Sequence, residues 1–133
     1  GIEFINNSMC TNAAAIVASS RAVDKSQHLL VGGRDKQLDF SALRDYLDLD
    51  GQRHRVYLFG SDAANIAAQI GGEWPEFSTL AEAFTAAAMA AKPGEAVMLA
   101  PGMASMDQFS DFRERGELFV HLAKEWQERC LTS

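Results

Sequence analysis

The chain has 133 residues, of which 47% are hydrophobic and 23% charged, as expected for one soluble globular domain with a sizeable core. Its net charge of −6 and its scattered cations disfavour a nucleic-acid partner, because no basic patch could displace phosphate counterions. No apolar run approaches the roughly 20 residues of a membrane span, so we expect no membrane partner. Cys10 and Cys130 have neither metal-ligand spacing nor the number of a disulfide framework, which favours reduced thiols in a cytoplasmic protein.

The first residues, "GIEFINNS", begin on a strand-like pattern without an initiator Met. They are not typical of a signal peptide, because a basic start and a long apolar core are missing. We therefore expect residues 1–133 to form a single domain excised from a longer chain.

Apolar runs of strand length alternate with segments of helical period along the chain. In chain order, the pattern predicts a strand at 2–6, a helix at 11–23, a strand at 28–33, a helix at 39–47, a strand at 55–60, helices at 61–71 and 78–91, a strand at 95–101 and a helix at about 108–129. A short extra strand is expected near Phe77. This alternation predicts an α/β fold: a Rossmann-like three-layer domain with a mostly parallel sheet of five to six strands and helices on both faces.

Polar residues stand where helices are predicted to begin, as helix caps do. The candidate caps are Thr11 or Asn12, Asp39 or Ser41, Ser61 or Asp62, and Ser78 or Thr79.

Small and polar residues also follow the predicted strands, at the sheet edge where ligands bind in open α/β folds. The helix N-termini at this edge offer free N–H groups that suit a carboxylate or a phosphate. Lys36 and Ser105 could hold a small anionic ligand there. Each feature also has a plainer interpretation, since Thr11 and Ser105 could be caps and Lys36 a solvated loop residue.

Other catalytic patterns are weak. The chain has no phosphate-binding G-x-x-x-x-G-K-[ST] loop, no dinucleotide fingerprint and no cluster with metal-ligand spacing. The histidines His28, His54 and His121 do not pair with a nucleophile in the pattern, and we expect them to be satisfied or exposed. "RHR" at residues 53–55 is interpreted as a solvated turn.

Three motifs carry a family resemblance: "FINNSMCTN", "HLLVGGRDKQLDFSAL" and "PGMASMDQFSDFRERGELFVHLAKE". Together they resemble the C-terminal domain of the Mur ligases, in particular the member that adds glutamate. The resemblance covers about residues 3–125, and its most specific part is the serine followed by a hydrophobic residue, "DQF" and a closing "RG".

The resemblance implies a three-domain ligase of peptidoglycan biosynthesis. An N-terminal domain would hold the UDP-sugar, a central domain would hold ATP and Mg²⁺, and this domain would bind glutamate. ATP would phosphorylate the carboxylate of UDP-N-acetylmuramoyl-L-alanine, and the amine of D-glutamate would then attack the acyl phosphate. This domain would contribute positioning and exclusion of water rather than a catalytic residue, and alone it is expected to be inactive.

By the same resemblance, Ser105 and the backbone beside Met106 would hold one carboxylate of the glutamate. Phe112 would lie near that carboxylate, and Lys36 would pair with the side-chain carboxylate.

Thr11 and Ser8 would lie near the amino acid and the phosphate side of the interface, together with Asn7. The usual motif has Asp where Asn7 stands and Lys where Met9 stands, so this chain departs from the family pattern twice. Because both changes together preserve the net charge, they suggest a paired substitution. They leave open whether the amino acid is D-glutamate, L-glutamate or another one.

A different class also remains open. The chain could be a non-catalytic α/β binding domain whose polar strand ends are only helix caps.

Overall fold

The computed structural model describes residues 1–10, 12–32, 39–49, 53–101 and 112–132, without the side chains of residues 112, 131 and 132. Ten elements lie in these ranges, and all ten were predicted from the sequence. They are β1 (Glu3–Asn6), α1 (Ala13–Arg21), β2 (Gln27–Gly32), α2 (Ser41–Leu49), β3 (Arg55–Phe59), α3 (Ala63–Ile70), β4 (Glu76–Phe77), α4 (Leu80–Ala90), β5 (Ala96–Leu99) and α5 (Phe112–Thr132).

The five strands form one sheet in the order β1-β5-β2-β3-β4, and every pair is parallel. The expected α/β fold is confirmed, with five strands rather than six in the described part of the chain. The last full strand, β5, lies between β1 and β2. The short strand β4, expected near Phe77, pairs with the end of β3.

Helices cover both faces of the sheet, as predicted. Alternate residues of a strand point to opposite faces, so Leu29 and Val31 of β2 join one core and Leu30 joins the other. Helices α1, α2 and α3 pack in the first core, and α4 and α5 in the second. The ring of Phe119 in α5 meets Phe84 of α4 edge-on, with 5.7 Å between ring centroids.

Two helices begin at side-chain caps that the sequence predicted. The side chain of Asn12 accepts a hydrogen bond from the backbone N–H of Ala15 at 2.8 Å at the start of α1. Thr79 and Glu82 form a reciprocal capping box at the start of α4. Since Asn12 caps α1, its neighbour Thr11 is not required for that role.

Other predicted ends differ in detail. Asp62 precedes α3 without a side-chain capping bond, and Gly71 ends α3 with a positive φ of 71°. Helix α5 continues to Thr132, beyond the predicted end at about residue 129. Its predicted start at about residue 108 lies outside the described residues.

Candidate functional site

The carboxyl ends of β1, β5 and β2 lie side by side at one edge of the sheet, because these three parallel strands are neighbours. Past the strand ends, the Asn7 N–H donates to the Leu99 carbonyl at 2.8 Å, and the Gly32 N–H donates to the Pro101 carbonyl at 3.1 Å. The chain leaves β1 and β2 toward helices on one face and leaves β5 toward α5 on the other face. Such a reversal opens a crevice at the strand ends, which is the usual ligand position in this class of sheet.

Gly32, at the end of β2, is explained by packing alone. A Cβ atom at this position would overlap the carbonyl oxygen of Phe59 in β3. This glycine is therefore not independent evidence for a ligand.

The loop after β1 is ordered by local hydrogen bonds. The side-chain oxygen of Asn6 accepts from the Ser8 N–H at 3.1 Å, and the Asn7 carbonyl accepts from the Cys10 N–H at 2.9 Å. The Asn7 side-chain amide points to β5 and donates to the sulfur of Met98 at 3.7 Å. This loop is thus held at the carboxyl edge of the sheet, beside β5.

Ser8 is buried in this loop and contacts a buried arginine from α5. Arg115 is 0% exposed, and its Nε donates to the Ser8 hydroxyl oxygen at 3.0 Å. Its Nη2 donates to the Ser8 carbonyl oxygen at 2.7 Å. A guanidinium out of water needs such acceptors, because an uncompensated buried charge is strongly destabilising.

The residue after Arg115 explains how α5 can lie so close to the loop. A Cβ atom at Gly116 would stand 2.9 Å from Nδ2 of Asn6 and 3.3 Å from Cβ of Ser8. Glycine therefore permits the helix backbone to contact the loop directly.

A groove of about 590 Å³ lies between this loop and α5. Its lining residues are Asn6, Ser8, Met9, Arg113, Gly116, Glu117, Val120, His121 and Lys124. Met9 is 73% exposed, so the side chain at this position reaches solvent rather than the core. Among the lining residues, Arg113 and Lys124 are cations and Glu117 is an acid, so their formal charges sum to a positive value. His121 pairs with Glu125 at 3.0 Å.

Of the residues predicted for the site, Asn7 and Ser8 are described, and both lie at the carboxyl edge. Phe112 is the first residue of α5, although its side chain is not described. Thr11, Lys36, Ser105 and Met106 lie outside the described residues, so their roles stay predictions. The strands that precede these four residues are β1, β2 and β5, which are neighbours in the sheet.

Sequence analysis missed Arg115 and Gly116 as site-forming residues. They form the "RG" of the third motif, and glycine inside a helix lowers helix stability relative to alanine. That glycine was the available signal of a close approach to the helix.

At the opposite, amino edge of the sheet, His28 forms a polar cluster with Tyr57 and Glu95. Its Nδ1 lies 2.8 Å from the Tyr57 hydroxyl, and its Nε2 lies 2.9 Å from Oε1 of Glu95. The hydrogen bond to His28 lowers the pKa of Glu95, helped by the N–H of Lys92, and burial raises the pKa of Tyr57. These groups lie far from the strand ends that form the candidate site.

The interpretation of "RHR" as a solvated turn is wrong for its middle residue. His54 is only 2% exposed, and its two ring nitrogens lie 3.1 Å from the Gln27 backbone nitrogen and 3.1 Å from the Tyr46 hydroxyl. Buried polar partners from α2 and β2 therefore satisfy it, as was expected of the histidines in general. Arg53 is partly exposed and pairs with Asp24 at 3.0 Å.

Three further observations concern possible ligands and the surroundings of the protein. Cys10 and Cys130 are both free thiols. Within the described ranges, no group of three or more His, Cys, Asp or Glu residues could hold a metal ion. None of the helices in those ranges combines the length and apolarity needed to cross a membrane.

Comparison with known proteins relates nearly the whole chain to one kind of enzyme. No protein-family model matches the chain. It is 42% identical over 127 residues to the UDP-N-acetylmuramoylalanine–D-glutamate ligase of Salmonella typhimurium, covering 94% of this chain and 28% of that protein. The ligases of the same name from Pectobacterium atrosepticum and Escherichia coli K12 are 41% and 40% identical over the same share of each chain. The chain thus spans just over a quarter of the length of these relatives, and the resemblance to the Mur ligases is confirmed over that part.

Proposed function

We propose that this chain, a homologue of part of the Mur ligases, is the amino-acid-binding domain of an ATP-dependent amide ligase. The ligase would add D-glutamate to UDP-N-acetylmuramoyl-L-alanine in peptidoglycan synthesis. The observation that carries the proposal is the adjacency of β1, β5 and β2, whose carboxyl ends lead directly into the three resembling motifs. A ligand at this edge could contact all three motifs at once.

Glutamate suits the groups that these motifs offer, because it has two carboxylates. Lys36 would form a charge-assisted hydrogen bond with the side-chain carboxylate, and Ser105 with the backbone N–H beside Met106 would hold the other. Phe112, the first described residue of α5, would lie near that carboxylate.

The β1–α1 loop would supply the opposite side of the site. Thr11 and Ser8 would approach the amino acid and the phosphate side of the interface, and Asn7 would support the loop through its bond to β5. Holding the amine of glutamate in line with the acyl phosphate would account for most of the contribution of this domain to the rate.

ATP and Mg²⁺ do not fit the residues of this chain. It lacks a phosphate-binding loop, and its described part has no carboxylate cluster for a metal ion. Both would be bound mainly by the central domain of the longer ligase, with the UDP-sugar held by its N-terminal domain. The two free thiols agree with a cytoplasmic location.

A second candidate keeps the reaction and changes the amino acid to L-glutamate or a related one. It is favoured by the departures at Asn7 and Met9, since the exposed Met9 lines the groove at a position where the usual motif has a cation. A different side chain at this position changes the contacts available to an anionic substrate.

The experiment that tests the proposal is an assay of the longer ligase that carries this chain. The enzyme is mixed with UDP-N-acetylmuramoyl-L-alanine, ATP and Mg²⁺, and phosphate release is compared with D-glutamate, L-glutamate and no amino acid. Release that depends on D-glutamate supports the main proposal, and release that depends only on L-glutamate supports the second candidate. Absence of release with every amino acid, and of any shift of the chain's amide NMR signals with glutamate, would favour a non-catalytic binding domain.

A further inference from the structure

Arg115 stands out because its charge is completely buried and the proposed reaction assigns it no role. It is the largest side chain among those that are less than 2% exposed in the described residues. Burying a guanidinium is costly, and a lysine or an apolar residue would fill the same position with less demand for acceptors. The arrangement of its acceptors therefore indicates what the arginine does.

Two hydrogen bonds of Arg115 go to a single residue, Ser8. Nε donates to the Ser8 hydroxyl at 3.0 Å and Nη2 donates to the Ser8 carbonyl at 2.7 Å, so both donors of one edge of the planar guanidinium are used at once. A bidentate contact of this kind fixes orientation as well as distance.

The contact joins two parts of the chain that are 107 residues apart. Ser8 belongs to the loop that carries Asn7 and leads to Thr11, whereas Arg115 lies one turn after the start of α5 at Phe112. The segment from 102 to 111, which carries Ser105, runs directly into that helix. Helix α5 and the β1–α1 loop are thereby held in a fixed relation across the end of β5.

We propose that Arg115 is a positioning residue that acts through Ser8 to fix the β1–α1 loop against α5, so that both sides of the amino-acid site face one substrate. This proposal rests on the proposed function. It predicts that the geometry of the donors matters at this position as well as the charge, because a lysine keeps the charge but lacks the rigid planar pair of N–H donors that binds the two Ser8 oxygens side by side.

The first experiment measures the loop itself by amide hydrogen exchange on the chain. Arg115→Lys should speed the exchange of the Cys10 amide by about ten- to a hundredfold, the effect of losing one charge-assisted hydrogen bond. The amide of Leu29, in the centre of the sheet, should keep its protection. The matched control is Arg129→Lys, which makes the same change on the exposed part of the same helix.

The second experiment measures function in the longer ligase. Arg115→Lys should raise KM for the amino acid about tenfold or more while KM for ATP changes little, and Ser8→Ala should act in the same direction. Because both residues belong to one contact, the double variant should be less impaired than the product of the two single effects. Arg129→Lys should match the wild type.

The outcomes distinguish a failure of the positioning role from a failure of the proposed function. If the wild-type ligase does not use glutamate, the proposed function is wrong and the positioning role falls with it. If the wild type is active, unchanged Cys10 exchange or an unchanged KM for the amino acid in Arg115→Lys overturns the role of Arg115 alone. If Arg115→Lys impairs the use of all substrates equally and its amides lose protection throughout the sheet, Arg115 acts on overall stability. That outcome also overturns the positioning role.

Discussion

The side-chain amide of Asn7, the residue that follows β1, donates a hydrogen bond to the sulfur of Met98 in the neighbouring strand β5, 3.7 Å away. The usual family motif has Asp at the position of Asn7. A carboxylate has no proton to donate to a thioether, and it would stand partly buried against an acceptor. Asn7 is therefore matched to its surroundings in this chain, which gives a physical reason why the departure from the motif is tolerated.

Asn7→Asp should accordingly lower the free energy of unfolding, by about 1–3 kcal/mol, as when a partly buried polar group loses its partner. Urea unfolding at pH 7 measures the change. The matched control is Met9→Lys, which also restores the family residue but on an exposed side chain, and it should stay within about 0.5 kcal/mol of the wild type. Equal stability of Asn7→Asp and the wild type would mean that the Asn7–Met98 contact contributes nothing.

Lys36→Ala should raise the KM for the amino acid in the longer ligase. Losing a charge-assisted hydrogen bond to a carboxylate costs about 1.5–3 kcal/mol, which corresponds to about ten- to a hundredfold. Ser105→Ala should act in the same direction but less strongly. Steady-state kinetics with varied glutamate measures both.

A matched control for Lys36 is Lys25→Ala. Lys25 pairs with Glu3 at 3.2 Å on an exposed part of the surface near the amino end of β1, so its loss should leave KM unchanged. If Lys36→Ala also leaves KM unchanged, Lys36 does not bind the amino acid.

Gly116→Ala should destabilise the protein although alanine is the better helix former. Helix propensity alone would favour alanine by about 1 kcal/mol. The new methyl group would stand 2.9 Å from Nδ2 of Asn6, however, and overpacking of this kind costs about 1–3 kcal/mol. Asn6 is the last residue of β1, and its side-chain oxygen accepts from the Ser8 N–H, so relief would require this hydrogen bond to change or the helix to move.

Thermal unfolding compares this variant with Thr85→Ala, an exposed substitution in α4 where only propensity and one hydrogen bond to the Ala81 carbonyl change. Thr85→Ala should be nearly neutral. A Gly116→Ala variant more stable than the wild type would show that the close approach of α5 to the loop is readily relaxed.

The ten elements could be predicted because their signals are local. Strand-length apolar runs, caps such as Asn12 and Thr79, and the glycine at position 71 each mark an element or its end within a few residues. The order of the strands is harder to predict from sequence, because the position of β5 between β1 and β2 depends on long-range packing.

The candidate site was likewise only partly predictable from the sequence. Its strand-end residues follow from the rule for open α/β sheets, and Asn7 and Ser8 lie at the expected edge. Arg115 could not be assigned, because its burial depends on Ser8, which is 107 residues away in sequence. The burial of His54 likewise depends on Tyr46 and Gln27, whereas its charged neighbours suggested a solvated turn.

The cluster of His28 and Glu95 at the amino edge predicts a pH dependence of stability. The hydrogen bond to His28 and the Lys92 N–H lower the pKa of Glu95 from its usual value of 4.5. The folded protein therefore binds this proton less tightly than the unfolded chain does. Its contribution to stability is present above about pH 4.5 and is lost as the pH falls through the lowered folded pKa.

Glu95→Gln should remove this part of the dependence, so that its free energy of unfolding falls less steeply than that of the wild type below about pH 4.5. Urea unfolding between about pH 3 and pH 7 measures both curves, the range over which an acid of this type titrates. Glu73→Gln, which removes one exposed carboxylate elsewhere on the surface, is the charge-matched control. Because the cluster lies at the edge opposite the proposed amino-acid site, KM for glutamate in the longer ligase should be the same in Glu95→Gln and the wild type at pH 7. Parallel unfolding curves for Glu95→Gln and the wild type would mean that Glu95 titrates alike in the folded and unfolded states.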